Sequence, residues 1–178
     1  MERLDFEREN PDFDVLMRGF GNCWGPLTGI TGDVIIEAMD IVQDTNVFVA
    51  ALLSLEGASA RVLDRCLAGE DQAFMGAALF AEYEELIQRE MLWEGTQVTL
   101  AERESILDDF CAAAAWQRVY FRWRPNLPDE NDDHVLELAI AAGVEHLVTH
   151  NTRDFARGEL MFSIPRVVTP AQHLEYIT

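Results

Sequence analysis

Ile41-Val-Gln-Asp-Thr-Asn-Val47 opens on two β-branched residues and turns polar at Asp44. That pattern describes a short buried strand, centred on Ile41 and Val42, that ends by delivering a carboxylate. From Val34 onward, short β-branched or aromatic runs alternate with amphipathic stretches, the signature of a parallel sheet flanked by helices. After the first strand a helix is expected with Ser59 as its cap, an apolar stripe of Val62, Leu63, Cys66 and Leu67, and Gly69 as its stop. A strand at Ala73–Met75 leads into a helix over Ala77–Glu90 whose Leu79, Tyr83, Leu86 and Ile87 share one face. Thr99-Leu-Ala-Glu102 has the form of a capping box and starts a helix reaching Ala115. Val119–Trp123 is expected as a strand, Asn126–Pro128 as a turn, and Asp132–Ala142 as a helix closed by Gly143. His146–Thr149 and Arg166–Val168 are two further strands, and Thr169-Pro170 caps a short last helix.

Composition sets bounds on what this pattern can be. The chain has 178 residues, 49% hydrophobic and 25% charged, enough for one compact domain. Residues 39–178 are assigned to that domain, and residues 1–38, with scattered phenylalanines and a Gly-rich stretch, to an extension expected to be poorly ordered or loosely docked. No apolar run approaches the roughly 18 residues of a membrane span, and the N-terminus lacks a basic start and apolar stretch, so no membrane and a cytoplasmic location are expected. Cys23, Cys66 and Cys111 are far apart and are expected to be reduced and structural. The net charge is -19, with 32 acidic residues against 13 basic ones. All 13 are arginine, which excludes lysine chemistry such as a Schiff base or a P-loop. Such a charge also opposes a bulk electrostatic grip on nucleic acid. A divalent cation at an acidic cluster, or a basic partner protein, would reverse that field locally.

In an open parallel sheet, ligands bind beyond the carboxyl ends of the strands near the point where strand order reverses. Asp44 ends the first strand, Asp154 follows the strand Leu147–Thr149, and Asp132 and Asp133 open the helix before it. If the two strands are neighbours, these carboxylates converge, and several buried carboxylates coexist only around a cation. With 32 acids in the chain, a single acid is ordinarily a solvated surface charge; position distinguishes these. Helical periodicity does not choose between Glu82 and Glu84, because each borders the apolar stripe.

Four stretches carry a resemblance: Ile41–Val47, Leu79-Phe-Ala-Glu-Tyr-Glu84, Asp129-Glu-Asn-Asp-Asp-His-Val-Leu-Glu-Leu-Ala139 and Val148-Thr-His-Asn-Thr-Arg-Asp-Phe155. Together, and in this order, they resemble PIN-domain nucleases, most of all the branch regarded as toxins of toxin-antitoxin pairs. The resemblance implies a three-layer α/β/α fold with a central parallel sheet of four or five strands. It implies an Mg²⁺- or Mn²⁺-dependent endoribonuclease whose site acids are Asp44, Glu82, Asp132 and Asp154. Asp133 and Asp129 stand beside Asp132 as outer or substitute ligands, and the metal set is Asp44, Asp132, Asp133 and Asp154. Thr45, Asn46, Thr149 and Asn151 are implied as polar supports for these carboxylates. The partners implied are an RNA substrate, a small antitoxin with a basic segment, and a second copy of the chain. Members of this branch usually start close to the first strand, so the upstream residues 1–38 are a departure.

The chemistry expected is attack of an activated water on phosphorus, with Glu82 orienting or deprotonating that water or ligating a second ion. Arg153 and Arg157 beside the fourth acid, and Arg118, Arg122 and Arg124 at strand spacing, are the candidate RNA contacts. Trp93, Trp116 and Trp123 are read as core or dimer packing ahead of base stacking. His134, His146 and His150 have no zinc spacing and are read as structural or surface groups. Two other readings compete: a non-catalytic PIN-like binding module, and another Mg-dependent phosphoesterase. The second lacks the Asp-x-Asp pattern after the first strand, since Thr45 and Asn46 follow Asp44.

Overall fold

The computed structural model describes residues 38–120, 127, 132–155 and 165–177. Among them five strands form one sheet: β1 (Asp40–Gln43), β2 (Gln72–Met75), β3 (Ala115–Trp116), β4 (His146–Val148) and β5 (Arg166–Val168). Their order is β3-β2-β1-β4-β5 and every pairing is parallel. The helices are α1 (Thr45–Leu53), α2 (Ala58–Ala68), α3 (Ala77–Gln88), α4 (Leu100–Ala113), α5 (Asp133–Ala142), α6 (Thr152–Phe155) and α7 (Pro170–Tyr176). Ile41, Val42 and Gln43 of β1, and all three residues of β4, are buried. Strands buried on both faces need helices on both, which is the α/β/α arrangement the sequence implies. On the sheet, α5 packs against β1, β2 and β4, α4 against β2, and α7 against β4.

The core is tied together by an aromatic cluster under the end of β1. Phe48 of α1 meets Tyr83 of α3 edge to face at 4.9 Å, and both rings lie 5.9 Å from Phe110 of α4. The Tyr83 hydroxyl donates to the Gln43 carbonyl at 2.9 Å. That bond satisfies a buried phenol and fixes α3 against the residue just before Asp44. Both glycine stops expected from sequence are in place: Gly69 and Gly143 close α2 and α5 in the left-handed conformation, with φ +72° and +68°. The capping boxes at Thr99 and Thr169 are both formed.

Four expectations need correction. β1 ends at Gln43, and Asp44 is already the cap position of a helix, α1, which the sequence did not reveal. Its residues Thr-Asn-Val-Phe-Val-Ala-Ala-Leu-Leu are apolar nearly all round, so they carry no periodic stripe. Ser59 is not the cap of α2; Gly57 holds that position and Ser59 is buried one turn in. The third helix stops at Gln88, and a 3₁₀ turn over Glu90–Leu92 follows. The strand expected over Val119–Trp123 is displaced: α4 ends at Ala113, the edge strand β3 is Ala115–Trp116, and Val119 and Tyr120 are in no strand. Residues 121–123, like residues 1–37 of the extension and Cys23, lie outside the described residues. Cys66 and Cys111 are free thiols. No single helix among the described residues is long and apolar enough to cross a membrane.

Candidate active site

The strand order reverses between β1 and β4, whose register pairs Ile41 with His146, Val42 with Leu147 and Gln43 with Val148. The ladder extends one bond further, from the Asp44 amide to the Val148 carbonyl at 2.9 Å. Asp44 and Thr149 therefore leave the sheet side by side, at the place where an open parallel sheet forms its crevice. Asp44 is 5% exposed, and Thr149 is fully buried.

Thr149 organises this crevice. Its hydroxyl donates to Asp44 Oδ2 at 2.6 Å and accepts from the Asn46 side-chain amide at 3.1 Å and the Asn151 backbone amide at 3.0 Å. Asn46 gives its other amide hydrogen to Asp44 Oδ2 at 2.7 Å, and its Oδ1 accepts from the His150 amide at 3.1 Å. Asn151 Nδ2 donates to Asp154 Oδ2 at 2.6 Å. Two carboxylates distant in sequence, Asp44 and Asp154, are thus joined through Thr149 and Asn151. On the other side, Thr45 Oγ1 lies 3.3 Å from Asp44 Oδ1 and 3.0 Å from Glu82 Oε1. A hydroxyl has one proton, so it serves only one of these oxygens at a time. Glu82 reaches this point because its neighbour Tyr83 anchors α3; Glu84 is exposed.

His134, in the first turn of α5, places Nε2 3.0 Å from Glu82 Oε2. Sequence reasoning classed this histidine as structural or surface and missed the contact. Local sequence carried no signal for it, because Glu82 and His134 lie on different helices far apart in the chain. Burial works to raise the Glu82 pKa, but the His134 and Thr45 contacts outweigh it and hold the carboxyl below its ordinary value. Asp44 goes the other way. Burial raises its pKa, the nearby Glu82 charge adds to that, and the bonds from Thr149, Asn46 and Thr45 offset only part.

Of the acids at the start of α5, Asp132 occupies the cap position and is half-buried. Asp133 is fully buried, and its Oδ1 accepts from the Leu127 amide at 2.9 Å. Its Oδ2 is buried and has no hydrogen-bond partner among the described residues. Arg153 and Arg118 are exposed, and Arg118 follows β3 rather than lying in a strand. Asp129, Arg122, Arg124 and Arg157 lie outside the described residues. A second unforeseen contact joins buried Ser59 of α2 to His150, 2.8 Å from Oγ to Nε2, just behind Asn46.

Among the described residues, no three His, Cys, Asp and Glu side chains close into a group that could hold a metal. The lone pairs offered beside Asp44 are nevertheless those of carboxylate and hydroxyl oxygens, and Asp44 and Glu82 share the single proton of the Thr45 hydroxyl. Such a set suits a hard divalent cation better than a soft one.

No curated protein matches this chain. Among solved structures it is similar to that described as VapBC2 from Rickettsia felis bound to a DNA fragment from their promoter, at 17% identity and a TM-score of 0.49. The similarity covers 74% of this chain and 98% of that one. The family model described as PIN domain matches residues 40–153, from the first residue of β1 to the residue before Asp154. With that match spanning the sheet-edge crevice as well as the strands that build it, the chain belongs to the PIN domain family.

Proposed function

We propose that this protein is a metal-dependent endoribonuclease that hydrolyses RNA phosphodiester bonds, acting as the toxin of a toxin-antitoxin pair. The observation that carries the chemistry is the row of contacts from Glu82 past Thr45 to Asp44, and on through Thr149 and Asn151 to Asp154, at the reversal of strand order. Asp44, Asp132 and Asp154 would hold Mg²⁺ or Mn²⁺, with Asp133 and Asp129 as the substitutes for Asp132. When bound, the ion supplies Lewis-acid activation of water and neutralises charge on the phosphoryl group. Thr149 and Asn46 hold the Asp44 carboxylate in one orientation, and Asn151 does the same for Asp154. Glu82 stays ionised well below neutrality, which makes it a poor proton acceptor and a good hydrogen-bond acceptor. Its role is to orient the attacking water, with His134 fixing the carboxylate. Arg153, exposed on α6 beside Asp154, contacts the adjacent phosphate, and Arg157, Arg118, Arg122 and Arg124 extend that contact.

The toxin role rests on the resemblance of the four acidic stretches, and it brings a cytoplasmic location with it. The expected partner is a small antitoxin whose basic segment meets this acidic surface, with a second copy of the chain as a further partner. The test is Mn²⁺-dependent cleavage of structured and unstructured RNAs by the unaltered chain and by Asp44→Asn. Cleavage by the first and not the second is expected; equal activity rejects the site. Cleavage of a phosphomonoester but not of RNA moves the reading to another phosphoesterase.

One observation favours a second reading, a non-catalytic PIN-like module: no metal-holding group of three side chains closes among the described residues. Melting curves separate the two, because a ligand bound only by the folded chain must stabilise it. A rise in melting temperature with Mn²⁺ that Asp44→Asn abolishes supports the enzyme; no rise in either protein supports the module.

A further inference from the structure

A cavity of about 500 Å³ opens between the N-terminus of α3 and the segment following β3. Leu79 and Leu138, both buried, line it from the core side. Trp116 and Tyr120 line its open side and are 55% and 77% exposed, and exposed Arg118 lies between them in sequence. Single exposed apolar residues are ordinary on a protein surface. Two aromatic rings and a guanidinium around one cavity of ligand-binding size are a more specific arrangement.

The Trp116 ring is held from behind. Its Nε1 donates to the Cys111 carbonyl at 3.3 Å, and Phe80 meets it edge to face at 5.6 Å. A ring fixed in this way and still more than half exposed needs little ordering before a flat ligand stacks on it. His134 connects the cavity to the acidic row, since it lines the cavity and also stands 3.0 Å from Glu82 Oε2. The cavity is therefore one side chain away from the carboxylates. Arg118 and buried Glu137 both line the cavity and oppose each other in charge, so the occupant is set by the fixed, half-exposed Trp116 ring, which favours a flat ligand, with exposed Arg118 at the open side to meet a phosphate.

We infer that this cavity receives one unpaired nucleobase of the RNA strand being cut, stacked on Trp116 and Tyr120, with Arg118 on a neighbouring phosphate. The inference rests on the nuclease reading and narrows its substrate class to RNA with unstacked bases, because bases inside an A-form duplex cannot be splayed onto a ring without unpairing. Trp116 and Tyr120 are then positioning residues that act on substrate binding and leave the chemical step alone.

The test uses the full chain carrying Asp44→Asn, so that RNA is bound without turnover, and a single-stranded RNA with one 2-aminopurine. Stacking is expected to quench the 2-aminopurine, and adding Trp116→Leu or Tyr120→Leu to weaken binding about tenfold and remove the quench. Trp116→Phe keeps a stacking face and is expected to retain most of both. In the active chain, Trp116→Leu raises KM about tenfold with kcat near that of the unaltered protein. A hairpin that pairs the same base should show no quench. RNA cleavage with unchanged KM and unchanged quench in both leucine variants overturns the pocket and leaves the nuclease reading standing. Loss of binding to a protein partner alone in those variants overturns it too, in favour of a docking face. A quench that depends on Trp116 without any cleavage by the unaltered chain keeps the pocket and rejects the nuclease reading.

Discussion

At the edge of the sheet where the strands begin, Asp71 is buried against the Arg65 guanidinium and the His173 ring; at the edge where they end, Asp44 is nearly as buried but is held by hydroxyls and an amide. Asp71 accepts two hydrogen bonds from Arg65, at 2.7 and 3.0 Å, one from His173 at 3.0 Å, and one from the Met39 amide at 3.2 Å. Burial works to raise its pKa, and the His173 and Arg65 bonds outweigh that and hold the carboxyl well below the usual range. For Asp44 the balance is reversed, and burial leaves its pKa raised. A buried carboxylate whose charge is fully matched is part of the scaffold. One kept buried with its charge under-matched costs stability, and such sites are where function concentrates.

The same isosteric change made at both edges tests this contrast. Asp71→Asn leaves Arg65 and His173 buried beside a neutral amide and should destabilise the fold by about 3–5 kcal/mol, read from urea unfolding. Asp44→Asn removes an under-matched charge, so its urea midpoint should equal or exceed that of the unaltered protein. Its RNA cleavage should nevertheless fall by more than about a hundredfold. If Asp44→Asn unfolds the protein as Asp71→Asn does, the two edges do not differ in kind and Asp44 is scaffold as well.

The scaffold edge was the part sequence could not show. His146, His173, Asp71 and Arg65 belong to four separate elements or loops, and no spacing links them. The edge proposed as the active site was more legible, because strand ends and helix starts are readable locally and a parallel sheet brings such ends together. Asp44 and Asp154 were expected near one another from that rule alone, whereas Thr149 came only with the family resemblance and Glu82 needed it too, since Glu84 borders the apolar stripe equally well. Tyr83 settles the geometry by anchoring α3 to Gln43. The elements that escaped detection are those without period or length: α1, apolar nearly all round, and β3, two residues long. Asp133 shows the same limit at the site, because its bond to the Leu127 amide depends on a loop path that local sequence does not encode.

A smaller change probes how the proposed active-site edge is held. Thr149→Val keeps the shape of the side chain and removes the hydroxyl that donates to Asp44 and accepts from Asn46 and Asn151. The loss should appear as a fall in cleavage, and in the Mn²⁺ affinity measured by thermal shift, of about 10- to 100-fold. A Thr149→Val protein with unchanged Mn²⁺ affinity would mean that Asn46 and Thr45 orient Asp44 without Thr149.

The scaffold edge carries the smallest effect, in its dependence on pH. His146 Nδ1 lies 2.9 Å from His173 Nδ1, so only one of these facing nitrogens carries a proton. The charged and titratable groups around the pair are Asp71 on His173, with Glu145 and Arg166 near His146, and the Tyr176 ring packs on His146. Burial, then the neighbouring His173, push the His146 pKa down to about 4 from 6.5. In the unfolded chain His146 takes up its proton near pH 6.5, whereas the folded chain resists until about pH 4. The unfolded state therefore binds more protons between those values, and stability that is complete above pH 6.5 drains away as the pH falls through the window. Between pH 7 and pH 5 the urea-unfolding free energy should drop by about 1–2 kcal/mol from this group. His146→Gln, which cannot take up a proton, should flatten that slope without changing the metal response at the opposite edge. An unaltered slope in His146→Gln would assign the acid sensitivity to other groups and leave the histidine pair as packing alone.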